Sequence, residues 1–134
     1  MKNVKIKLKS IIISPDGDKE SNIFTYDGQY DIKNEKHYIA YDEIEQNTHT
    51  IVKVDKNSAI ISRTGAMQST MKIIENSETN MPYHTPHGVF DMLVCGISVD
   101  NHLDDKKQLL LEYTIGTSQG VIGHNIIKIT LEEV

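Results

Sequence analysis

The sequence is poor in cysteine, proline and long apolar runs, and each shortage excludes a class of protein. A single cysteine, Cys95, leaves no internal disulfide and is typical of a reducing compartment. The apolar runs, such as Ile11 to Ile13, fall well short of the ~7–15 residues of a signal peptide or the ~20 of a membrane-spanning helix. We therefore expect a cytoplasmic protein with no membrane partner.

Positive charge is also scarce. The chain has 14 Lys and Arg residues against 19 Asp and Glu residues, and its net charge of -5 argues against a nucleic-acid partner. The Lys5, Lys7 and Lys9 stripe has no aromatic residues between its lysines, so it is more typical of a solvated strand face than of a nucleic-acid site. Arg63 is the only arginine.

The dominant pattern is an alternation of apolar and polar residues with a period of two, which predicts half-buried β-strands. Turn-forming residues separate about nine such runs. The runs cover residues 2–13, 22–33, 36–45, 48–55, 58–64, 67–75, 83–99 with a break near Gly88, 107–116 and 120–132. No linker divides them. The sequence thus predicts an all-β protein, a single closed antiparallel β-barrel of about 8–10 strands over residues 1–134.

Hairpin register predicts which side chains of the third to fifth strands point into the barrel. A two-residue turn between the third and fourth strands pairs Glu43 with Thr50 and Tyr41 with Val52. A turn between the fourth and fifth strands pairs Thr50 with Arg63. Residues directly opposite each other share a face of the sheet. Because Thr50 and Val52 lie on the apolar-rich face, Tyr41, Glu43 and Arg63 should point inward, whereas a three-residue turn would reverse either partner strand.

An interior arginine needs a partner, because burying an unpaired charge costs several kcal/mol. One interpretation is that Glu43 and Arg63 form a structural ion pair that closes one end of the barrel. The other is that Arg63 receives a ligand carboxylate or phosphate while Glu43 holds its guanidinium in place. The sequence leaves both open.

The last hairpin adds two polar residues to the predicted interior. A five-residue loop over 116–120 pairs Tyr113 with Gly123 and Leu111 with Asn125. Because Leu111 and Tyr113 lie on the apolar face, we expect Asn125 and the Tyr113 ring to face inward. A buried asparagine must satisfy its amide through protein, water or ligand.

Other reactive side chains favour no chemistry. His84 and His87 are three residues apart on an extended chain and point to opposite faces, so we predict no metal site and place Tyr83 at the barrel mouth. Cys95 lies in an apolar run and is predicted to be an inert core residue. The sequence lacks a nucleophile-elbow, phosphate-loop or dinucleotide motif, so we expect no cofactor and no catalytic residue.

Several segments, in this order and spacing, resemble the YwiB-like family of uncharacterised bacterial proteins, and the resemblance covers nearly the whole chain. The segments are Tyr41-Asp42-Glu43, Thr50-Ile51-Val52-Lys53-Val54, Arg63-Thr64-Gly65-Ala66-Met67, Tyr83 with Gly88, Leu111-Glu112-Tyr113 and His124-Asn125-Ile126-Ile127. The resemblance implies a calycin-like, lipocalin-type closed β-barrel. It implies no activity, cofactor or catalytic residue.

A closed barrel of this size has room for packed side chains or one small ligand. Our first hypothesis is a non-catalytic barrel that binds a small apolar or amphipathic molecule. Its walls would include Val52, Ile61 and Met71. The candidate ligand-binding residues are Tyr41, Glu43, Thr50, Arg63, Tyr83, Tyr113 and Asn125.

The alternative hypothesis is a protein-interaction module whose barrel is filled and which acts through its rim or surface, for instance as a dimer. The third hypothesis is that the protein is an enzyme. Tyr41, Glu43 and Arg63 could form an acid/base cluster, but no pattern specifies a reaction.

Overall fold

Ten strands account for most of the chain. The computed structural model describes the backbone of residues 1–134 and every side chain except that of Thr85. The strands are β1 (Lys2–Ile13), β2 (Lys19–Lys33), β3 (Lys36–Glu43), β4 (Thr48–Val54), β5 (Ser58–Gly65), β6 (Ser69–Ile74), β7 (Glu78–Thr85), β8 (Gly88–His102), β9 (Gln108–Thr117) and β10 (Gly120–Glu133). One short 3-10 helix spans Ile44–Gln46. None of the described helical structure is long and apolar enough to cross a bilayer.

All ten strands belong to one antiparallel sheet. Its order is β6-β5-β4-β3-β2-β1-β10-β9-β8-β7. Each strand therefore pairs with its neighbours in the chain, except that β6 and β7 form no ladder with each other, and β1 also pairs with β10. The two outer strands meet where Gln68, just before β6, exchanges backbone hydrogen bonds of 3.2 and 3.5 Å with His84 of β7. The Thr79 hydroxyl also donates to the Lys72 carbonyl at 2.7 Å. The sheet is a nearly closed barrel, as the sequence predicts, and we call the β6–β7 junction the seam.

Just after β6 ends, the chain forms backbone hydrogen bonds with β8. The Asn76 amide donates to the Gly96 carbonyl, and the Gly96 amide donates to the Ser77 carbonyl, both at 2.9 Å. A β-bulge in β8 lies between Gly96 and Ser98. A Cβ atom on Gly96 would overlap the Ile74 carbonyl oxygen, so glycine is what allows this close approach.

The interior is filled at one end of the barrel. Leu103, in the turn between β8 and β9, is fully buried and covers that end. The inward-facing residues that pack this end of the barrel have less than 2% of their surface exposed. They include Ile6, Ile39, Val52, Val54, Ile73, Leu109, Leu111 and Ile129. Close packing of this kind leaves little void space. An interior ligand site can therefore lie only towards the opposite end, where the β1–β2, β3–β4, β5–β6, β7–β8 and β9–β10 turns lie.

The nine predicted runs become ten strands because the run 83–99 breaks near Gly88, as predicted: β7 ends at Thr85 and β8 begins at Gly88. The segment 76–82, interpreted as a break, contains the start of β7, and Pro82 lies inside that strand. Proline removes a backbone donor and is tolerated mainly in edge strands. Because β7 is an edge strand of the sheet, the turn-like composition of this segment does not prevent strand formation.

The prediction that Cys95 is a core residue is wrong. Cys95 is only half-buried, and its neighbour Val94 occupies the interior with no exposed surface. Successive residues of a strand point to opposite faces, so only one of the two can face the core. The run from Met92 to Ile97 is apolar at both kinds of position, and its composition does not show which face points inward.

Candidate functional site

The register of the β3–β4 hairpin differs from the prediction, although the inward face is the same. Glu43 lies opposite Thr48, and Tyr41 lies opposite Thr50, so the predicted Glu43–Thr50 pair is wrong. The turn has four residues rather than two and ends at Asn47, which adopts a positive φ of 50°. Because the two lengths differ by an even number, Tyr41 and Glu43 still point inward and both are buried.

Arg63 lies on β5 directly opposite Thr50, as predicted. Its Nε atom is 3.7 Å from Oε2 of Glu43, and the two side chains are 28% and 10% exposed. The pair is thus an ion pair at a distance longer than a hydrogen bond. Both of these atoms, and Oγ1 of Thr50, are buried with no hydrogen-bond partner among the described residues.

Two aromatic rings pack near the Glu43–Arg63 ion pair. The Tyr41 ring stacks on Tyr26 with 5.0 Å between centroids, and the Tyr26 hydroxyl donates to Oε1 of Glu45 at 2.7 Å. Burial, with contributions from Glu45 and Glu43 respectively, raises the pKa of Tyr26 and of Tyr41 well above their ordinary value. Both rings therefore stay neutral at physiological pH and act as packing and hydrogen-bonding groups.

The β9–β10 hairpin also differs in register from the prediction. Tyr113 lies opposite Asn125 rather than Gly123. Val121 pairs with Gly116, which leaves a shorter turn than expected, and a β-bulge after Val121 inserts one extra residue. The two differences compensate for each other, so Tyr113 and Asn125 both face inward and are buried, as predicted.

A cavity of about 460 Å³ lies in the unfilled end of the barrel. Its polar side chains are Arg63, Tyr113, Asn125, Ser10 and Ser69. The rest of its lining is mainly apolar, namely Ile12, Met71, Met81, Tyr83, Met92, Ile115, Ile122, Gly123 and Ile127. The cavity therefore combines a large apolar wall with a small group of hydrogen-bonding side chains and one cation.

The structure divides the predicted site residues into two groups. Four line the cavity, namely Arg63, Tyr83, Tyr113 and Asn125. The other three, Tyr41, Glu43 and Thr50, are buried in the wall and do not line it. Of the walls proposed from the sequence, Met71 lines the cavity, whereas Val52 and Ile61 belong to the packed core.

Sequence reasoning missed several lining residues, and one of them had a detectable signal. Ser10 continues the inward series of β1 after Ile6 and Leu8, and a small polar residue at such a position indicates a space that no apolar side chain fills. Met81 and Met92 also line the cavity. Their inward orientation depends on the pairing of β7 with β8, where they lie opposite each other.

The polar group can donate several hydrogen bonds into the cavity. The guanidinium of Arg63 has five N–H donors, and the Asn125 amide has two. Burial raises the pKa of Tyr113 to about 12, an effect that the nearby Arg63 cation partly opposes, so its hydroxyl stays protonated and able to donate. No three of the described His, Cys, Asp and Glu side chains come together in a cluster that could hold a metal ion. The arrangement suits an acceptor-rich or anionic group.

The buried tyrosines should make the barrel unstable in alkali. Unfolding returns Tyr113 from a pKa of about 12 to its ordinary value of 10.0, so above pH 10 the unfolded chain loses a proton that the folded chain keeps. The free energy of unfolding should therefore fall between pH 10 and 12, by about 1 kcal/mol per pH unit for this residue. Urea unfolding at pH 9 and pH 11 measures the loss. Tyr113→Phe should show a smaller loss than the wild type, and an equal loss would contradict the assignment.

Comparison with known proteins identifies the family. Residues 6–129 match the family model described as Domain of unknown function (DUF1934). The chain belongs to the DUF1934 family. Its curated relatives include the Uncharacterized beta-barrel protein YwiB of Bacillus subtilis (strain 168), which is 27% identical over 106 residues, or 78% of this chain and 74% of that protein.

The DUF1934 chain also matches a solved structure. The crystal structure of the YwiB protein from Bacillus subtilis superposes with a TM-score of 0.88 at 24% sequence identity, over 99% of this chain and 92% of that chain. The resemblance to the YwiB-like family is thus confirmed, and so is the β-barrel fold. These matches establish the fold and the family.

Proposed function

We propose that this DUF1934 protein is a non-catalytic barrel that binds one small amphipathic molecule in the unfilled half of its interior. The observation that carries the proposal is the cavity of about 460 Å³, with a largely apolar lining and a single arginine. Binding cavities for small molecules are typically about 300–1,000 Å³, mostly apolar, with a few polar groups that fix orientation. Moving the apolar part of a ligand out of water into this lining supplies the driving force.

The polar group of the ligand would lie against Arg63. Glu43 approaches the guanidinium through Nε, and Arg63 lines the cavity, so we propose that its terminal N–H groups bind the ligand. An arginine can bind a carboxylate through two parallel hydrogen bonds. Tyr113 and Asn125 line the same cavity and can donate to the same group. The proposed ligand therefore has an apolar body and an anionic head.

The proposal includes a cytoplasmic location. It is supported by the partly exposed free thiol of Cys95, which a reducing compartment would protect from oxidation. It also includes the calycin-like character of the barrel, which is supported by an interior that holds a cavity at one end only.

A second candidate function is protein interaction through the rim of the open end. Apolar side chains with half or more of their surface exposed lie at the start of β8 and of β10, namely Val89, Phe90, Val121 and Ile122. Exposed apolar residues that lie close together are typical of interaction sites. Ile122 also lines the cavity, so the rim and the interior are continuous at that residue.

A matched pair of amphiphiles tests the binding proposal. Wild-type protein is titrated with octanoate and with octanol by isothermal titration calorimetry. The test variant is Glu43→Gln/Arg63→Gln, which replaces the ion pair with two neutral amides and leaves no unpaired charge in the wall. A lost hydrogen bond to a charged group costs about 1.5–3 kcal/mol. Octanoate should therefore bind about tenfold to a hundredfold more weakly to the variant, whereas octanol should bind equally well to both.

A cavity-filling variant provides the control. Met71→Trp adds bulk to the apolar wall and should weaken octanoate and octanol together, because it removes the space that both need. If the double variant weakens both amphiphiles equally, Arg63 does not bind the anionic head of the ligand. If the wild type binds neither amphiphile and sediments as a dimer in analytical ultracentrifugation, protein interaction through the rim replaces ligand binding as the proposed function.

A further inference from the structure

A second cavity, of about 470 Å³, lies beside the seam. It is formed by the ends of β5 and β7 and the start of β6, and it shares two lining residues, Arg63 and Ser69, with the first cavity. Its other lining residues, Thr64, Gln68, Thr70, Pro82 and His84, are all exposed, so the second cavity opens to solvent on the outside of the seam. Arg63 thus stands at the boundary between an apolar cavity inside the barrel and a polar cavity at the seam.

The second cavity has the composition of an anion site. Apart from Pro82, every lining side chain can donate a hydrogen bond through a guanidinium, hydroxyl, amide or imidazole group. None of its lining residues is a carboxylate, although the chain carries 19 Asp and Glu residues. Glu43 pairs with Arg63 but lines neither cavity. The second cavity therefore offers hydrogen-bond donors beside a guanidinium whose charge Glu43 partly neutralises.

The two cavities meet at Arg63 and Ser69, which line both of them. Pro82 has no amide hydrogen to donate across the seam. The described hydrogen bonds between the two strands are the backbone pair at Gln68 and His84 and the Thr79 hydroxyl bond to Lys72. Between these points the strands are not joined by a regular ladder. Side chains such as Ser69, which lines both cavities, form the boundary there.

From this arrangement we propose that the ligand is an amphipathic phosphate monoester, an inference that rests on the proposed binding function. Its apolar body occupies the first cavity, and its phosphate occupies the second, against Arg63. One arginine can satisfy a carboxylate through two hydrogen bonds, so a carboxylate leaves the second cavity unused. A phosphate monoester carries about -1.5 to -2 charges and three strongly accepting oxygens, and it needs the additional donors that Gln68, Thr70 and His84 provide.

The test compares two ligands that share one apolar chain. Wild-type protein is titrated with octyl phosphate, octanoate and inorganic phosphate. Octyl phosphate should bind about tenfold more tightly than octanoate, because it gains the donors of the second cavity, and inorganic phosphate should bind far more weakly than either. The test variant, Gln68→Glu, adds a carboxylate to the second cavity. It should weaken octyl phosphate at least tenfold and octanoate less than about twofold, because the added charge repels the phosphate.

Gln29→Glu is the matched control, since it adds the same charge at an exposed position on the outer face of β2. It should leave all three titrations unchanged. If octanoate binds but octyl phosphate binds no more tightly, or if Gln68→Glu weakens both equally, the phosphate assignment is overturned while the binding function stands. Inorganic phosphate that binds as tightly as octyl phosphate would also overturn it, in favour of a site for the free ion. Failure of both amphiphiles to bind would remove the binding function itself.

Discussion

Replacing Arg63 with alanine is expected to lower the free energy of unfolding by about 3 kcal/mol. The substitution removes the cation 3.7 Å from Oε2 of Glu43 and leaves that carboxylate buried, at 10% exposure, with no opposite charge beside it. Removing one partner of a buried pair typically costs about 3–5 kcal/mol, and the remaining access of water to Glu43 places this pair at the lower end of that range. Urea unfolding at neutral pH measures the change.

The loss should depend on Glu43. In a Glu43→Gln background the neighbouring group is a neutral amide, so Arg63→Ala should cost much less than it does in the wild type. A double-mutant cycle over the two residues gives the coupling energy directly, and we expect about 1–3 kcal/mol. Additive effects of the two substitutions would contradict the ion pair and would mean that Arg63 contributes to stability only through packing.

The Gly96→Ala variant is expected to lose about 3 kcal/mol of stability through a different mechanism. The added Cβ atom would overlap the Ile74 carbonyl oxygen, which is backbone and has little freedom to move. Overpacking of this kind costs about 1–3 kcal/mol, and here it would also strain the hydrogen bonds of Gly96 to Asn76 and Ser77. Hydrogen exchange of the Asn76 and Gly96 amides should accelerate together with the fall in stability.

Gly123→Ala provides the control for this effect. A Cβ atom on Gly123 would lie 3.8 Å from Nδ2 of Asn125 and 3.9 Å from Cγ2 of Ile12, which are ordinary contacts. This substitution should leave stability unchanged or raise it slightly, by about 0.5 kcal/mol, because alanine reduces the freedom of the unfolded chain. If both glycine variants lose the same stability, the close approach at Gly96 is not what limits substitution there.

The inward faces of the strands could be predicted because a period of two determines face independently of exact register. Tyr41 and Glu43 face inward although the cross-strand partners predicted for them are wrong. A four-residue turn and a two-residue turn differ by an even number of residues, so both leave the same side chains facing inward. Asn125 faces inward because a shorter turn and a bulge compensate for each other. The all-β barrel follows from the same periodicity.

The depth of each residue along the barrel could not be predicted from periodicity. Val52 and Met71 both point inward, yet Val52 packs in the filled end and Met71 lines the cavity. That difference depends on the combined volume of side chains from strands far apart in the sequence. The second cavity depends on the contact between Gln68 and His84, which exists only after the sheet has closed. The ligand-binding role of the candidate residues stays a prediction.

The order of strands around the sheet relates this fold to a simple antiparallel meander. Eight of the nine paired ladders join strands that are consecutive in sequence, and the ninth joins β1 to β10, where Lys2 and Glu133 form an ion pair of 2.6 Å. Linking β10 to β1 and opening the chain between β6 and β7 would convert that ninth ladder into a hairpin. The protein is therefore a circular permutation of a simple ten-strand meander, with the seam of the barrel in the middle of the chain.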